Sequence, residues 1–132
     1  MQKYMDKTKL ILSVVVLFLA GCGGGSEFLG IDLTKYYGSI AINQNNGKGG
    51  IIANATSQRK ANDEALKLCG DSCVVVLEFG SNKCGALSRS ETSAVFGWAS
   101  GDDKPGTSIA SLIQCQNKGA LDCKIQLSEC NS

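Results

Sequence analysis

The sequence predicts an α+β domain in which a ββαβ unit occurs twice, with an antiparallel sheet, two helices and a set of disulfides. Short β-rich runs alternate with two amphipathic helical patterns along the chain. The second half repeats the order of these elements. Six cysteines fall at matching places in the two halves, and together these three observations favour a duplicated, disulfide-linked fold.

The first unit begins with two predicted strands and a helix. An alternating run at residues 37–43 and a second run at 51–55 flank an Asn- and Gly-rich turn at 44–50. Thr56 or Ser57 is placed to cap the helix that follows, because a side-chain oxygen can accept a free backbone N–H. The expected apolar face of this helix consists of Ala61, Ala65, Leu66, Leu68 and Cys69.

A nearly continuous apolar run at residues 73–79 closes the first unit and predicts a central strand that is buried on both faces. The second unit then predicts strands at 85–89 and 93–100, a helix capped by Asp103, and an alternating strand at 123–130. The expected apolar face of the second helix consists of Ile109, Leu112, Ile113 and Cys115.

The two halves align in detail. Residues 51–69 match residues 97–115 without gaps, and small gaps bring Gly38 onto Gly85. The same alignment pairs Cys69 with Cys115, Cys73 with Cys123 and Cys84 with Cys130. The matching cysteines favour an internal duplication over a chance likeness between two amphipathic helices.

The domain cysteines are predicted to form three disulfides. They are Cys69, Cys73, Cys84, Cys115, Cys123 and Cys130. The favoured pairs are 69–73 and 115–123, because a helix end and a strand start meet across a short turn, and 84–130 would then join the two halves. Pairing within a half, such as 73–84, stays open. A metal site is disfavoured because histidine and paired C-x-x-C spacings are absent, and no cofactor is expected.

The N-terminus is typical of a bacterial lipoprotein. Lys3, Lys7 and Lys9 precede an apolar run at residues 10–20, which is too short to span a bilayer and fits a signal peptide. The run ends in Leu-Ala-Gly followed by Cys22, a pattern that resembles the lipobox. We therefore predict a signal peptide over residues 1–21, with Cys22 as the lipid-modified residue.

The predicted mature chain consists of a lipidated, Gly-rich tether at residues 22–35 and a domain at 36–132. Gly23 follows the cysteine where an aspartate would favour the inner membrane, so the expected location is the cell envelope, at the outer membrane. Cleavage leaves 10 of the 13 basic and 11 of the 12 acidic residues. Without a basic stripe, nucleic-acid binding is not expected, and the membrane contact is through the lipid.

The domain resembles a family of exported bacterial proteins, domain-of-unknown-function family 4189. The residues that carry the resemblance are the segments 37–41, 65–66, 69–70, 73–76, Phe79 and 84–86. It covers residues 37–130, and it departs from the family pattern at 87–89, where small residues are usual. The resemblance implies the fold and the export context and carries no activity.

Catalysis is not expected. Histidine, the usual proton-transfer group near neutral pH, is absent. The remaining candidates for acid–base chemistry are carboxylates, and helix capping, the helix dipole or solvent exposure explains them. They are Asp63, Glu64, Glu78, Glu91, Asp102 and Asp103.

The sequence therefore predicts a non-catalytic module that binds or inhibits a protein partner. Trp98 and Tyr37 are candidate aromatic contacts, although Trp98 can equally fill the core. Asn45 and Asn46 lie in the polar turn and are candidate binding residues too. The alternative prediction is an accessory structural subunit of an envelope or secretion assembly.

Overall fold

The computed structural model describes residues 35–132; the predicted signal peptide, Cys22 and nearly all of the tether lie outside the described residues. The elements are β1 (Tyr37–Ile42), β2 (Gly49–Ala55), α1 (Gln58–Cys69), β3 (Val74–Phe79), β4 (Cys84–Ser90), β5 (Phe96–Gly101), α2 (Lys104–Asn117) and β6 (Cys123–Cys130). The order ββαβ occurs twice, which confirms the α+β class and the duplication. Neither helix of this region is long and apolar enough to cross a membrane.

Each unit folds into its own three-stranded antiparallel sheet, so the strands form two sheets rather than one. The order is β2-β1-β3 in the first sheet and β5-β4-β6 in the second, which makes the first strand of each unit central. α1 packs against β1 and β2, and α2 packs against β4 and β5. Between the sheets lies a shared core of Ile40, Ile42, Ile51, Phe79, Leu87 and Phe96. The layers therefore run helix, sheet, sheet, helix.

The strand registers show which residues of the two units correspond. A bulge interrupts the β1–β3 pairing between Ile40 and Ala41, and a matching bulge interrupts the β4–β6 pairing between Leu87 and Ser88. Ile40 therefore corresponds to Leu87, and Ala41 to Ser88.

The glycines that face the helices give the same correspondence. Gly50 lies against the backbone of Ala65 and Cys69, and Gly97 lies against that of Ser111 and Cys115. In both places a Cβ would overlap helix backbone. Gly50 thus corresponds to Gly97, and the residues that they touch correspond as well.

The gapless alignment of residues 51–69 with 97–115 is therefore correct for the helices and wrong by one residue along most of β2. The register between β1 and β2 shifts opposite Gly38, and Asn54 in this stretch has a φ of 60°. A β-bulge inserts one extra residue into a strand, and that residue need not be of any particular type. The sequence of this strand therefore did not indicate the bulge.

Strand β3 lies at a sheet edge, and the prediction of a central position is wrong. Val74 is 54% exposed. The bulge opposite lets both Val76 and Leu77 pack on the shared core, while Val75 packs beneath α1. The continuous apolar run therefore reflects a bulge that interrupts the alternation of side chains, rather than burial on both faces of a central strand.

Both helices begin at predicted caps. The Ser57 side chain accepts a hydrogen bond from the backbone N–H of Lys60 at 3.1 Å. Asp103 accepts one from the backbone N–H of Gly106, also at 3.1 Å. Each cap satisfies a donor that the first helical turn leaves free.

The predicted apolar faces of the helices are partly wrong. Leu68 of α1 is exposed, and so are Ile109 and Ile113 of α2, at 57% and 49%. The residues that α2 buries are small and mostly polar: Thr107, Ser108, Ser111 and Cys115. The close approach at Gly97 explains this choice, because it leaves little room for branched side chains between α2 and its sheet.

The three favoured disulfides are confirmed: Cys69–Cys73, Cys84–Cys130 and Cys115–Cys123. The expectation that Cys84–Cys130 joins the two halves is wrong. These cysteines face each other across β4 and β6, two strands of the same sheet. The registers place Tyr37, and not a cysteine, at the position equivalent to Cys84.

Candidate functional site

A groove at one end of the sheets brings Trp98 and Asn45 together. Its volume is about 440 Å³. The residues that line it are Ile42, Gln44, Asn45, Ala94, Val95, Phe96, Trp98 and Lys118. We call it the tryptophan groove. The turn after β1 forms one wall, and the loop before β5 forms the other.

The first wall is held by Asn43, a residue that sequence analysis missed as an organiser of the turn. Asn43 is buried, and its Oδ1 accepts hydrogen bonds from the backbone N–H groups of Asn45 at 2.9 Å and Asn46 at 3.2 Å. Its Nδ2 donates to the carbonyl of Asp71 at 2.8 Å. These bonds fix the wall to the loop after α1. An Asn at the start of a turn was the signal available in the sequence.

The second wall, residues 91–95, is held by Ser90 and Asp122. The Ser90 hydroxyl donates to Asp122 Oδ1 at 2.6 Å and accepts from the N–H groups of Thr92 and Ser93. Thr92 Oγ1 donates to Asp122 Oδ2 at 2.7 Å. Hydrogen bonds from the Ser90 and Thr92 hydroxyls lower the pKa of Asp122, because they favour the ionised carboxylate.

The floor combines an aromatic surface with one positive charge. Lys118 Nζ lies 4.0 Å from the centroid of the Trp98 ring and donates to the carbonyl of Phe96 at 2.7 Å. Partial burial lowers the pKa of Lys118. The backbone N–H of Trp98 donates to Gln114 Oε1 at 2.5 Å, which ties the strand to α2. Lys118 was missed because nothing in the sequence connects it with Trp98.

The sequence also matches a family model, described as Domain of unknown function (DUF4189), over residues 37–130. The chain belongs to the DUF4189 family. The match runs from the start of β1 to the end of β6, so both walls and the floor of the groove lie within the DUF4189 domain. No curated protein and no solved structure matches the chain.

The other two candidate binding residues of the DUF4189 domain do not line the groove. Tyr37 is half-buried at the opposite end of β1, where it pairs with Ala55. Asn46 is exposed in the turn, and its Oδ1 accepts a hydrogen bond from the N–H of Lys48 at 3.0 Å. The structure thus unites Trp98 with Asn45 and leaves Tyr37 apart.

Four of the candidate acidic residues have structural partners. The contacts are Glu78 with Asn62, Glu91 with Lys124, Asp102 with Lys83, and Asp103 with the N–H of Gly106. The hydrogen bond and charge of Lys83 lower the pKa of Asp102. Within residues 35–132, no group of three or more His, Cys, Asp or Glu is placed to hold a metal ion.

Proposed function

We propose that this chain is an envelope-anchored lipoprotein whose DUF4189 domain acts as a non-catalytic binding module for a protein partner. The tryptophan groove carries the proposal. It is concave, and it combines the half-buried Trp98 ring with the polar side chains of Gln44, Asn45 and Lys118. Tryptophan is also the residue type most enriched among the strong contacts of protein interfaces.

The walls of the groove favour binding because they are fixed in advance. The turn is bonded to Asn43, and the opposite loop is bonded to Ser90 and Asp122. A partner therefore does not have to order these segments when it binds, which reduces the entropic cost of association.

The lining indicates what the partner presents. A side chain of the partner can contact the half-buried Trp98 ring, and Gln44 and Asn45 offer amides to the partner's backbone. Lys118 is the one charged residue among the lining residues, so an acidic group beside that side chain complements the groove.

The non-catalytic part of the proposal is supported by the absence of histidine from the sequence and by the partners of four of the six candidate acidic residues. Glu78, Glu91, Asp102 and Asp103 serve as hydrogen-bond acceptors, ion-pair members or a helix cap. Acid–base catalysis needs a carboxylate that is free to exchange a proton with a substrate.

Site-specific cross-linking tests the groove. A photo-reactive amino acid at Asn45, introduced into the full chain in intact envelopes, is expected to capture a protein. The same group at Ile109, exposed on α2, serves as the matched control. Equal capture at both positions, or none at position 45, would contradict the proposal. A membrane-embedded machine as the captured protein would favour an accessory subunit instead.

Truncation of Trp98 measures the contribution of the floor once the partner is captured. Trp98→Ala is expected to weaken binding by about 2 kcal/mol, roughly 30-fold in Kd. A thermal melt must accompany the assay, because Trp98 also packs on the shared core. Lys118→Ala is the milder variant and should weaken binding about two- to fivefold if the partner is acidic.

The lipid anchor is tested separately. Globomycin is expected to accumulate the precursor, and Cys22→Ser is expected to yield a chain without lipid. A Cys22→Ser protein that still carries lipid would contradict the anchor and leave the groove proposal intact.

A further inference from the structure

Arg89 of β4 is a half-buried cation without a counter-ion in the described part of the chain. Its Nε is buried and has no hydrogen-bond partner among residues 35–132. The nearby carboxylate of Glu91 is engaged elsewhere, since it pairs with Lys124 at 2.8 Å. A buried guanidinium N–H without an acceptor destabilises a fold, so the presence of Arg89 at this position calls for a reason.

Arg89 lines a small pocket together with a second cation and one carboxylate. The pocket has a volume of about 180 Å³. Its lining residues are Arg89, Ser90, Glu91, Lys124, Ile125 and Gln126. We call it the arginine pocket. Glu91 pairs with Lys124, so Arg89 is the cation of this lining that has no paired carboxylate, and a bound carboxylate would complement it. Asp122, which also acts on Lys124, is held by Ser90 and Thr92.

The first unit shows that the fold does not need an arginine at this place. By the matching registers, Arg89 corresponds to Ile42 of β1. Ile42 is fully buried and belongs to the shared core. An apolar side chain therefore suits the position, and it would remove the cost of a buried N–H that has no acceptor.

The turn after β1 is shaped to accept the guanidinium. A Cβ on Gly47 would overlap three atoms of the Arg89 guanidinium group. Gly47 also has a φ of +75°, a backbone conformation that favours glycine. The same turn forms a wall of the tryptophan groove, so the two sites are neighbours, but Arg89 does not line the groove.

We infer that the arginine pocket binds a carboxylate through Arg89. A guanidinium is planar and can form two parallel hydrogen bonds to a carboxylate, a geometry that matches this anion better than a spherical one. The carboxylate can come from a small organic acid or from an acidic group of a protein. The bound anion would supply the counter-ion that the described chain lacks.

Titration of the full chain, labelled with ¹⁵N at arginine, tests the inference. Sodium acetate is the probe, and sodium chloride at equal ionic strength is the control. The Arg89 Nε–H resonance is expected to shift saturably with acetate and to stay in place with chloride. Equal shifts with both salts, or none with acetate, would overturn the inference, as would tighter binding of inorganic phosphate.

The repeat supplies the decisive variant. Arg89→Ile introduces the residue of the first unit, and we expect a melting temperature equal to or above that of the wild type. This variant has no Arg89 resonance to observe, so the measurement is the increase in melting temperature that acetate causes. We expect this increase to disappear in Arg89→Ile. Protection that persists in Arg89→Ile would overturn the assignment. Glu91→Gln, which releases Lys124, should bind acetate several-fold more tightly.

Two peptides distinguish the sources of the carboxylate. One ends in a free α-carboxylate and the other has the same sequence with a C-terminal amide. Tighter binding of the first peptide than of acetate supports a protein carboxylate. Acetate binding that neither peptide exceeds supports a small organic acid, and absence of binding for all three overturns the site.

Discussion

Ser88 and Ser111 form a hydrogen-bonded pair that is fully buried between β4 and α2. Their Oγ atoms are 2.5 Å apart. Ser111 Oγ donates its own hydrogen to the carbonyl of Ser108 at 2.7 Å, so the hydrogen between the two hydroxyls comes from Ser88. At the equivalent place the first unit packs Ala41 against Ala65. We therefore expect removal of both hydroxyls to cost less than removal of one.

The magnitudes follow from which group each substitution leaves unpaired. Ser111→Ala leaves the buried Ser88 hydroxyl without an acceptor, which costs about 1–3 kcal/mol. Ser88→Ala leaves Ser111 bonded to Ser108, so it costs only about 0.5–1.5 kcal/mol. The double variant has the Ala–Ala contact of the first unit and should lie within about 0.5 kcal/mol of the wild type. Since the double variant lies near the wild type, the coupling equals the sum of the two single losses, about 1.5–4.5 kcal/mol.

Thermal and urea unfolding of the oxidised protein measure this cycle. For a domain of this size, about 1 kcal/mol corresponds to a shift of roughly 4–8 °C in Tm. Ala41→Ser is the control in the first unit, because it buries a hydroxyl without its partner and should destabilise. If the losses of Ser88→Ala and Ser111→Ala simply add in the double variant, the two hydroxyls act independently and the reasoning fails.

Three further predictions concern single residues. Ser39→Ala should raise Tm by several degrees, because the Ser39 hydroxyl is buried without a partner in the described chain and the second unit has Ala86 there; a lower Tm would contradict this. Gly97→Ala should destabilise by about 1–3 kcal/mol in urea unfolding, since its Cβ would overlap the backbone of α2, and an unchanged midpoint would refute the close approach. Asp122 has a lowered pKa, so its support of the loop at 91–95 is complete above the ordinary aspartate range and is lost as pH falls through the lowered pKa. Hydrogen exchange of the amides at 91–95 should therefore accelerate as pH falls through the lowered pKa of Asp122. An equal acceleration in Asp122→Asn would show that protonation of Asp122 is not the cause.

The sequence predicted those features whose signal is local. Asp103 and Ser57 could be predicted as helix caps because a short polar side chain directly before a helical pattern can accept a hydrogen bond from a free N–H of the first turn. The pairs 69–73 and 115–123 were accessible because a helix end and the following strand start are close in sequence and must be close in space. The order of elements followed from the change between helical and strand periodicity.

The missed features depend on register and on contacts between distant residues. The bulge near Asn54 shifts the pairing of β2 with β1, and no residue type in the sequence indicates it. A second bulge, between β1 and β3, is why the apolar run of β3 was predicted to be a central strand. The exposure of Ile109 and Ile113 follows from the close approach of Gly97 to α2, which only the packed structure reveals. The contact of Lys118 with Trp98 likewise joins two segments that no sequence pattern connects.

The duplication offers a way to separate residues that fold the domain from residues that serve a site. Where one unit has an apolar core residue and the other unit has a different residue at the equivalent position, the fold does not require that different residue. Ile51 and Ile42 lie in the core of the first unit, and the registers place Trp98 and Arg89 at the corresponding positions of the second. Trp98 and Arg89 are larger or more polar than the isoleucines they replace. Both lie beside the turn that Asn43 holds. We therefore expect paired reversion, Trp98→Ile with Arg89→Ile, to preserve folding and to abolish binding at this end. Loss of folding in the paired variant would show that the second unit depends on these side chains for its core.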